Sequence, residues 1–124
     1  MSETAHPSWD NIPSEQINPL VTRQYINGGN MTFSRFSIKK GGGVPVHSHH
    51  NSQITHVIEG AFQFTTNGEQ SIVRAGEIHV IPPHVPHGVV ALEYTVALEI
   101  FSPIRQDWLD GKDNYLRTAA STSK

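Results

Sequence analysis

Four histidines lie close together in the segment VPVHSHHNSQITHVIEG, which spans residues 44–60. His47 and His49 are two positions apart on a strand-like stretch, so their side chains project from the same face, with Cβ atoms about 6.5–7 Å apart. Gln53 follows a short turn and can enter the same space, and His87 arrives from a distant proline-rich segment. Three imidazoles and an amide oxygen suit one divalent first-row transition metal and leave coordination positions open.

The elements that must position these residues are short β-strands. Alternating apolar residues between turn signals predict strands at 19–26, 31–38, 44–48, 53–59, 61–66, 70–74, 77–81, 87–91 and 93–101. The Asn67-Gly68 pair is typical of a tight hairpin turn. Many short strands at near-regular spacing predict an all-β sandwich or barrel. A short helical turn is predicted only at 106–109.

The last predicted strand, EYTVALEIF, has two contrasting faces. Tyr94, Val96, Leu98 and Ile100 form a bulky apolar face, whereas Thr95, Ala97, Glu99 and Phe101 form the other face. An unpaired carboxylate is costly to bury in a packed core. We therefore expect Glu99 and Phe101 to face a ligand cavity.

Length and composition limit the classes of protein to consider. The 124 residues suffice for one domain, predicted at 15–117 between a flexible N-terminal arm at 1–14 and a disordered tail at 118–124. A net charge of −2 and the absence of long apolar runs argue against nucleic-acid and membrane partners. No cysteine is available for disulfides or thiolate metal sites, and no signal-peptide pattern begins the chain, so a cytoplasmic location is expected.

The spacing of the metal-binding candidates resembles the cupin superfamily. Its first motif is similar to the run Gly41-x5-His47-x-His49-x3-Gln53-x6-Gly60, and its second motif to Gly76-x5-Pro82 followed by His87. Three positions depart from these motifs: Gln53 replaces the usual Glu, His84 replaces a Gly, and Ala91 stands where the motif often has Asn. The resemblance covers about residues 30–101. It implies a cupin double-stranded β-helix, a jelly-roll barrel that holds the metal inside.

The C-terminal run EIFSPIRQDWL, residues 99–109, resembles the end of the small single-domain cupins of the KdgF type. Those proteins act in pectin and alginate breakdown, hold a metal with three His and one Gln, and convert 4,5-unsaturated monouronates to open-chain 5-keto-4-deoxyuronate. Glu99 stands where that family has an acid, usually Asp, and Arg105 stands at its Arg. The resemblance implies that Glu99 transfers a proton, that Arg105 binds the substrate carboxylate bidentately, and that Phe101 forms an apolar wall.

Several alternatives remain open from the sequence. The neutral Gln53 leaves the metal (Ni, Zn, Mn, Fe or Co) its full charge, which favours Lewis-acid chemistry over an Fe- or Ni-dependent dioxygenase. A sugar-binding or acid-binding cupin without turnover is the third hypothesis. Glu99 and Arg105 could also form a structural ion pair. Apolar residues at 20–21, 25–26 and 94–100 predict a homodimer.

Overall fold

The computed structural model describes residues 4–117, and these form two antiparallel β-sheets. The ten strands within this range are β1 (Glu15–Asn18), β2 (Val21–Gly28), β3 (Met31–Ile38), β4 (Gly43–His47), β5 (Ser52–Glu59), β6 (Ala61–Thr66), β7 (Glu69–Arg74), β8 (Ile78–Ile81), β9 (His87–Ala91) and β10 (Thr95–Ser102). Short helical segments lie at Trp9–Asn11 (a 3-10 turn), α1 (Gln106–Leu109) and α2 (Asn114–Arg117). Within the described range no helix is long and apolar enough to cross a membrane.

The two sheets pack face to face around one core. The larger sheet has the order β1-β2-β3-β10-β5-β8, and the smaller sheet has the order β4-β9-β6-β7. Buried side chains alternate with more exposed ones most clearly along β3 and β5, as in Met31–Ile38, where every second side chain is buried. Core residues include Phe36, Val57, Phe62 and Ile81. This arrangement confirms the prediction of an all-β jelly roll.

The first described strand and the last helix were not predicted. Residues Glu15–Asn18 are mostly polar and few, so their strand character depends on pairing with β2 rather than on alternation. The strand predicted at 19–26 begins at Val21, because the preceding residues form the turn between β1 and β2. The segment Asn114–Arg117 is a single helical turn, too short for periodicity to reveal.

Both ends of the described chain contact the barrel. The Trp9 ring packs on Phe33 with ring centroids 5.4 Å apart, and the Gln24 amide donates a 2.7 Å hydrogen bond to the Trp9 carbonyl. The mobility predicted for residues 1–14 stays a prediction, with residues 1–3 outside the described range. The tail predicted at 118–124 lies wholly outside it.

A buried arginine fastens the C-terminal segment beneath the barrel. Arg23 is 1% exposed and pairs with Glu15 at 2.9 Å and with Asp113 at 3.0 Å. The Asn18 amide donates a 3.0 Å hydrogen bond to the Leu116 carbonyl. Two carboxylates compensate the cost of burying the guanidinium. These contacts fix α2 against β1 and thereby place its side chains at the cavity described next.

Candidate metal centre

The structure brings the three predicted histidines together at one end of the cavity. His47 ends β4 and lies directly opposite His87, the first residue of β9. His49 follows two residues after His47, and the rings of His47 and His87 have centroids 4.4 Å apart. One ligand nitrogen from each of the three histidines lies within 4.8 Å of the others. Two strand ends and one loop therefore supply three convergent imidazoles.

Backbone carbonyls orient the three imidazole rings. The Nδ1-to-carbonyl distances are His47 to Pro45 2.8 Å, His49 to Asn51 3.1 Å and His87 to Val85 2.8 Å. Because a carbonyl only accepts, each Nδ1 donates, and each neutral ring keeps the lone pair on Nε2. Burial, reinforced by the nearby Arg105 charge, lowers the pKa of His47 and His49 to about 4, and burial also lowers the pKa of His87. The rings are therefore neutral near pH 7, as metal ligands must be.

Gln53 completes the cluster and provides the test of whether a cation fits. Its Oε1 lies 3.0 Å from Nε2 of His49. The single ring proton of neutral His49 is used at Nδ1, so two lone-pair atoms face each other across that distance. His87 Nε2 is also buried without a hydrogen-bond partner among the described residues. A cation bound among these atoms would remove both defects, so the four residues fit a transition metal.

Glu99 faces the same cavity from β10, as the alternation of that strand predicts. It lies directly opposite Thr55 on the neighbouring strand β5, and the Thr55 hydroxyl donates a 2.9 Å hydrogen bond to its Oε2. Burial raises the pKa of Glu99 to about 7, against the opposing effects of the Thr55 hydrogen bond and the Arg105 charge. A carboxyl group with this pKa can both accept and release a proton at neutral pH.

Arg105 lines the cavity, but its bidentate pairing differs from the prediction. Its Nε donates to Asp107 Oδ1 at 3.0 Å and its Nη2 donates to Asp107 Oδ2 at 2.8 Å. Asp107 occupies this edge, so the predicted two-point capture of a substrate carboxylate stays a prediction, and capture through this edge would require Asp107 to be displaced. Within the described range the ion pair of Arg105 is with Asp107 and not with Glu99. The guanidinium nitrogen of Arg105 that remains to bind a ligand is Nη1.

Two aromatic side chains form walls beside this arginine. Phe101 is 1% exposed, and the Arg105 guanidinium lies 4.7 Å from its ring centroid. Tyr115, from α2, has its ring centroid 4.8 Å from that of His47 and accepts a hydrogen bond from Arg105 Nη2. The sequence analysis missed Tyr115, for which a single helical turn provides no periodic signal. It also missed Thr55, although strand parity places Thr55 on the same face as Gln53.

The departure at His84 has a backbone explanation. His84 has φ +67°, in the left-handed region that favours glycine, which accounts for the usual Gly of the motif. Its side chain is exposed, so no neighbouring element crowds it. Its backbone N–H donates a 2.8 Å hydrogen bond to the His49 carbonyl. This bond joins the loop of the first motif to that of the second.

Comparisons with known proteins agree with this geometry. Residues 34–102 match the family described as Cupin domain. The chain is 30% identical over 103 residues to the pectin degradation protein KdgF of Dickeya dadantii. The matched region covers 81% of this chain and 94% of the relative. An RmlC-like cupin from Shewanella frigidimarina is 30% identical with a TM-score of 0.78, covering 87% of this chain and 99% of its own.

A second solved structure supports the narrower resemblance. KdgF from Halomonas sp. is 28% identical with a TM-score of 0.75, covering 80% of this chain and 94% of its own. The predicted likeness to small cupins of the KdgF type is thereby confirmed. The chain belongs to the cupin family.

Proposed function

We propose that this cupin opens the ring of a 4,5-unsaturated monouronate to give the open-chain 5-keto-4-deoxyuronate. The observation that carries the proposal is the position of Glu99, whose carboxylate lies 3.3 Å from the amide nitrogen of Gln53 in the cavity that His47 and His87 also line. A group that exchanges protons near pH 7 therefore borders a site fitted for a cation. The likeness to the pectin degradation protein KdgF supports the choice of substrate.

The reaction needs one proton to be moved and no other reagent. Ionised Glu99 accepts the proton of the C1 hemiacetal hydroxyl as the bond from C1 to the ring oxygen breaks. The electron pair remains on the former ring oxygen as an enolate at C5. Protonated Glu99 then delivers the proton to C4, which leaves a ketone at C5 and an aldehyde at C1. Because one carboxyl performs both steps, a pKa near the working pH serves both directions of transfer.

The other residues bind and orient the substrate. Nη1 of Arg105 offers a single charged donor to the uronate carboxylate, and the Phe101 ring offers an apolar surface to the sugar. A divalent metal (Ni, Zn, Mn, Fe or Co) held by the three histidines and Gln53 would stabilise the negative charge that develops on a substrate oxygen. Acidic sugar, metal and proton carrier would then share one enclosed space.

The test follows the enol-ether ultraviolet absorbance of an unsaturated monouronate mixed with metal-loaded protein. We expect its decay to exceed the spontaneous rate, and the excess to disappear in Glu99→Gln. Glu93→Gln, which alters an exposed carboxyl just before the same strand, is the matched control and should retain activity. No excess decay with the wild-type protein would refute the proposal for this substrate, and oxygen uptake would then test the dioxygenase alternative.

We also propose that the protein is a homodimer that pairs through the outer face of β10, β5 and β8. The face consists of Ile54, His56, Ile58, Ile78, Val80, Leu98 and Ile100. Ile100, Ile54 and Val80 lie directly opposite one another across the three strands. Five of the apolar members are between 40% and 64% exposed. These seven residues include no acidic side chain, lysine or arginine, and Arg35 of β3 lies at the border of the face, opposite Leu98. Two copies can therefore meet through the centre of the face without opposing like charges.

Two of the residues that the sequence predicted for the dimer surface are instead packed within the protein. Val21 is 1% exposed and belongs to the core, and Tyr25 packs edge-on against Trp108. Sedimentation equilibrium of the wild-type protein should give a dimer and that of Ile54→Asp a monomer. Ile72→Asp, which changes a similarly exposed isoleucine in the smaller sheet, should remain dimeric. A monomeric wild type, or a dimeric Ile54→Asp, would refute this interface.

A further inference from the structure

A directed chain of hydrogen bonds runs from the metal-binding cluster to Glu99. The Gln53 amide nitrogen donates to the Thr55 hydroxyl at 3.0 Å, and that hydroxyl donates to Glu99 Oε2 at 2.9 Å. The same amide nitrogen also lies 3.3 Å from Glu99 Oε2. Thr55 is fully buried and is placed by two simple constraints: it shares a face with Gln53 on β5 and lies opposite Glu99 on β10.

The direction of this chain determines which end of the Gln53 amide faces the histidines. A threonine hydroxyl has one proton, and here that proton goes to Glu99. The hydroxyl oxygen must then accept, so the NH2 end of Gln53 points toward Thr55 and the oxygen points toward His49. We infer that Thr55 is a positioning residue that orients the Gln53 amide oxygen toward the metal site while holding Glu99.

The same chain explains why a glutamine occupies the position where cupins usually have a glutamate. An amide serves both neighbours at once, because its oxygen is a ligand atom and its nitrogen donates to Glu99 and Thr55. A carboxylate at position 53 would offer only acceptors to an oxygen of Glu99 about 3 Å away. Gln53 and Glu99 therefore form a matched pair. The inference concerns the metal site and does not depend on the substrate proposed above.

The first experiment measures Co2+ binding, by calorimetry and by the visible spectrum of the bound ion. Thr55→Val keeps the side-chain shape without the hydroxyl, and we expect it to weaken Co2+ binding about tenfold and to alter the spectrum. Thr55→Ser restores a hydroxyl and should stay within about twofold of wild type. Thr95→Val removes an equally buried hydroxyl that bonds only to backbone groups, and it should leave the Co2+ affinity unchanged.

Two outcomes of this series would overturn the inference. Wild-type affinity and spectrum in Thr55→Val would show that the hydroxyl does not orient the amide. Equal weakening in Thr55→Ser and Thr55→Val would assign the effect to a shift of the strand and not to the hydroxyl. Thermal unfolding of the metal-free variants identifies any that fail to fold, in which case Thr55→Ser and the following cycle carry the test.

The second experiment is a double-mutant cycle on Co2+ affinity with Gln53→Glu, Glu99→Gln and the double variant. Because two adjacent carboxylates oppose each other, the gain in affinity from Gln53→Glu should be at least about tenfold larger in the Glu99→Gln background. Equal gains in both backgrounds would show independent residues and refute the matched pair. The assay contains no substrate, so its failure and that of the ring-opening proposal are distinguishable.

Discussion

The burial of Glu99 predicts a pH-dependent stability difference between wild type and Glu99→Gln. The pKa of Glu99 is raised from its ordinary value of 4.5 to about 7, so the folded protein binds this proton more tightly than the unfolded chain. At 1.36 kcal/mol for each pH unit, that difference corresponds to about 3 kcal/mol. The stability contributed by protonated Glu99 is complete below its unfolded pKa and is lost as the pH rises through about 7. Glu99→Gln cannot ionise and avoids this loss.

The assay is urea denaturation of metal-free wild type and Glu99→Gln at several values between about pH 4 and pH 8.5. We expect the free energy of unfolding of the variant to gain about 3 kcal/mol relative to wild type across this range. Titration of the histidines affects both proteins and cancels in the difference. Glu93→Gln, which changes an exposed carboxyl, is the matched control for the loss of one negative charge. A difference between Glu99→Gln and wild type that stays constant with pH would refute the reasoning.

Three further predictions concern backbone geometry and the histidines. Gly60→Ala should lower the free energy of unfolding by more than about 2 kcal/mol in a urea titration, because the added Cβ would lie 2.3 Å from the Tyr94 carbonyl oxygen and Gly60 has φ +87°. Gly68 has a similar φ of +85° but open space around it, so Gly68→Ala should lower the free energy of unfolding by only about 1 kcal/mol. His84→Gly should raise the free energy of unfolding by up to about 1 kcal/mol by relieving φ +67°, and an unchanged urea midpoint would contradict this. The pKa of His47 is lowered to about 4, so the unfolded chain binds this proton more tightly than the folded protein does, and the metal-free protein should lose stability as the pH falls from 6.5 to 4. Thermal melts of His47→Gln over the same pH range should show a smaller loss.

Much of the candidate site could be predicted because it depends on strand parity and motif spacing. Alternation alone placed Glu99 and Phe101 on the inner face of β10, and the structure has both lining the cavity. The two-residue spacing of His47 and His49 brought both rings to one side of the β4 end. Such features survive errors of one or two residues in strand boundaries, because the side-chain period is two.

The partners of the cavity's polar groups could not be predicted in the same way. Arg105 lies just after β10, and its choice of Asp107 over Glu99 depends on the path of the chain through α1. Tyr115 reaches the site from α2, which the buried Arg23–Asp113 ion pair and the Asn18–Leu116 hydrogen bond fasten to the barrel. Contacts of this kind depend on three-dimensional placement of short, aperiodic segments, for which local sequence carries no signal.

One physical cause prepares both halves of the site. Removal from water disfavours charge of either sign, so it lowers the pKa of His47 and His49 and raises that of Glu99 within the same cavity. The imidazoles are thereby kept neutral with lone pairs available to a cation, and the carboxyl is kept ready to exchange a proton. Gln53 joins the two halves without adding charge, since its amide offers an acceptor to one and a donor to the other. A charged residue at that position would serve one half at the expense of the other.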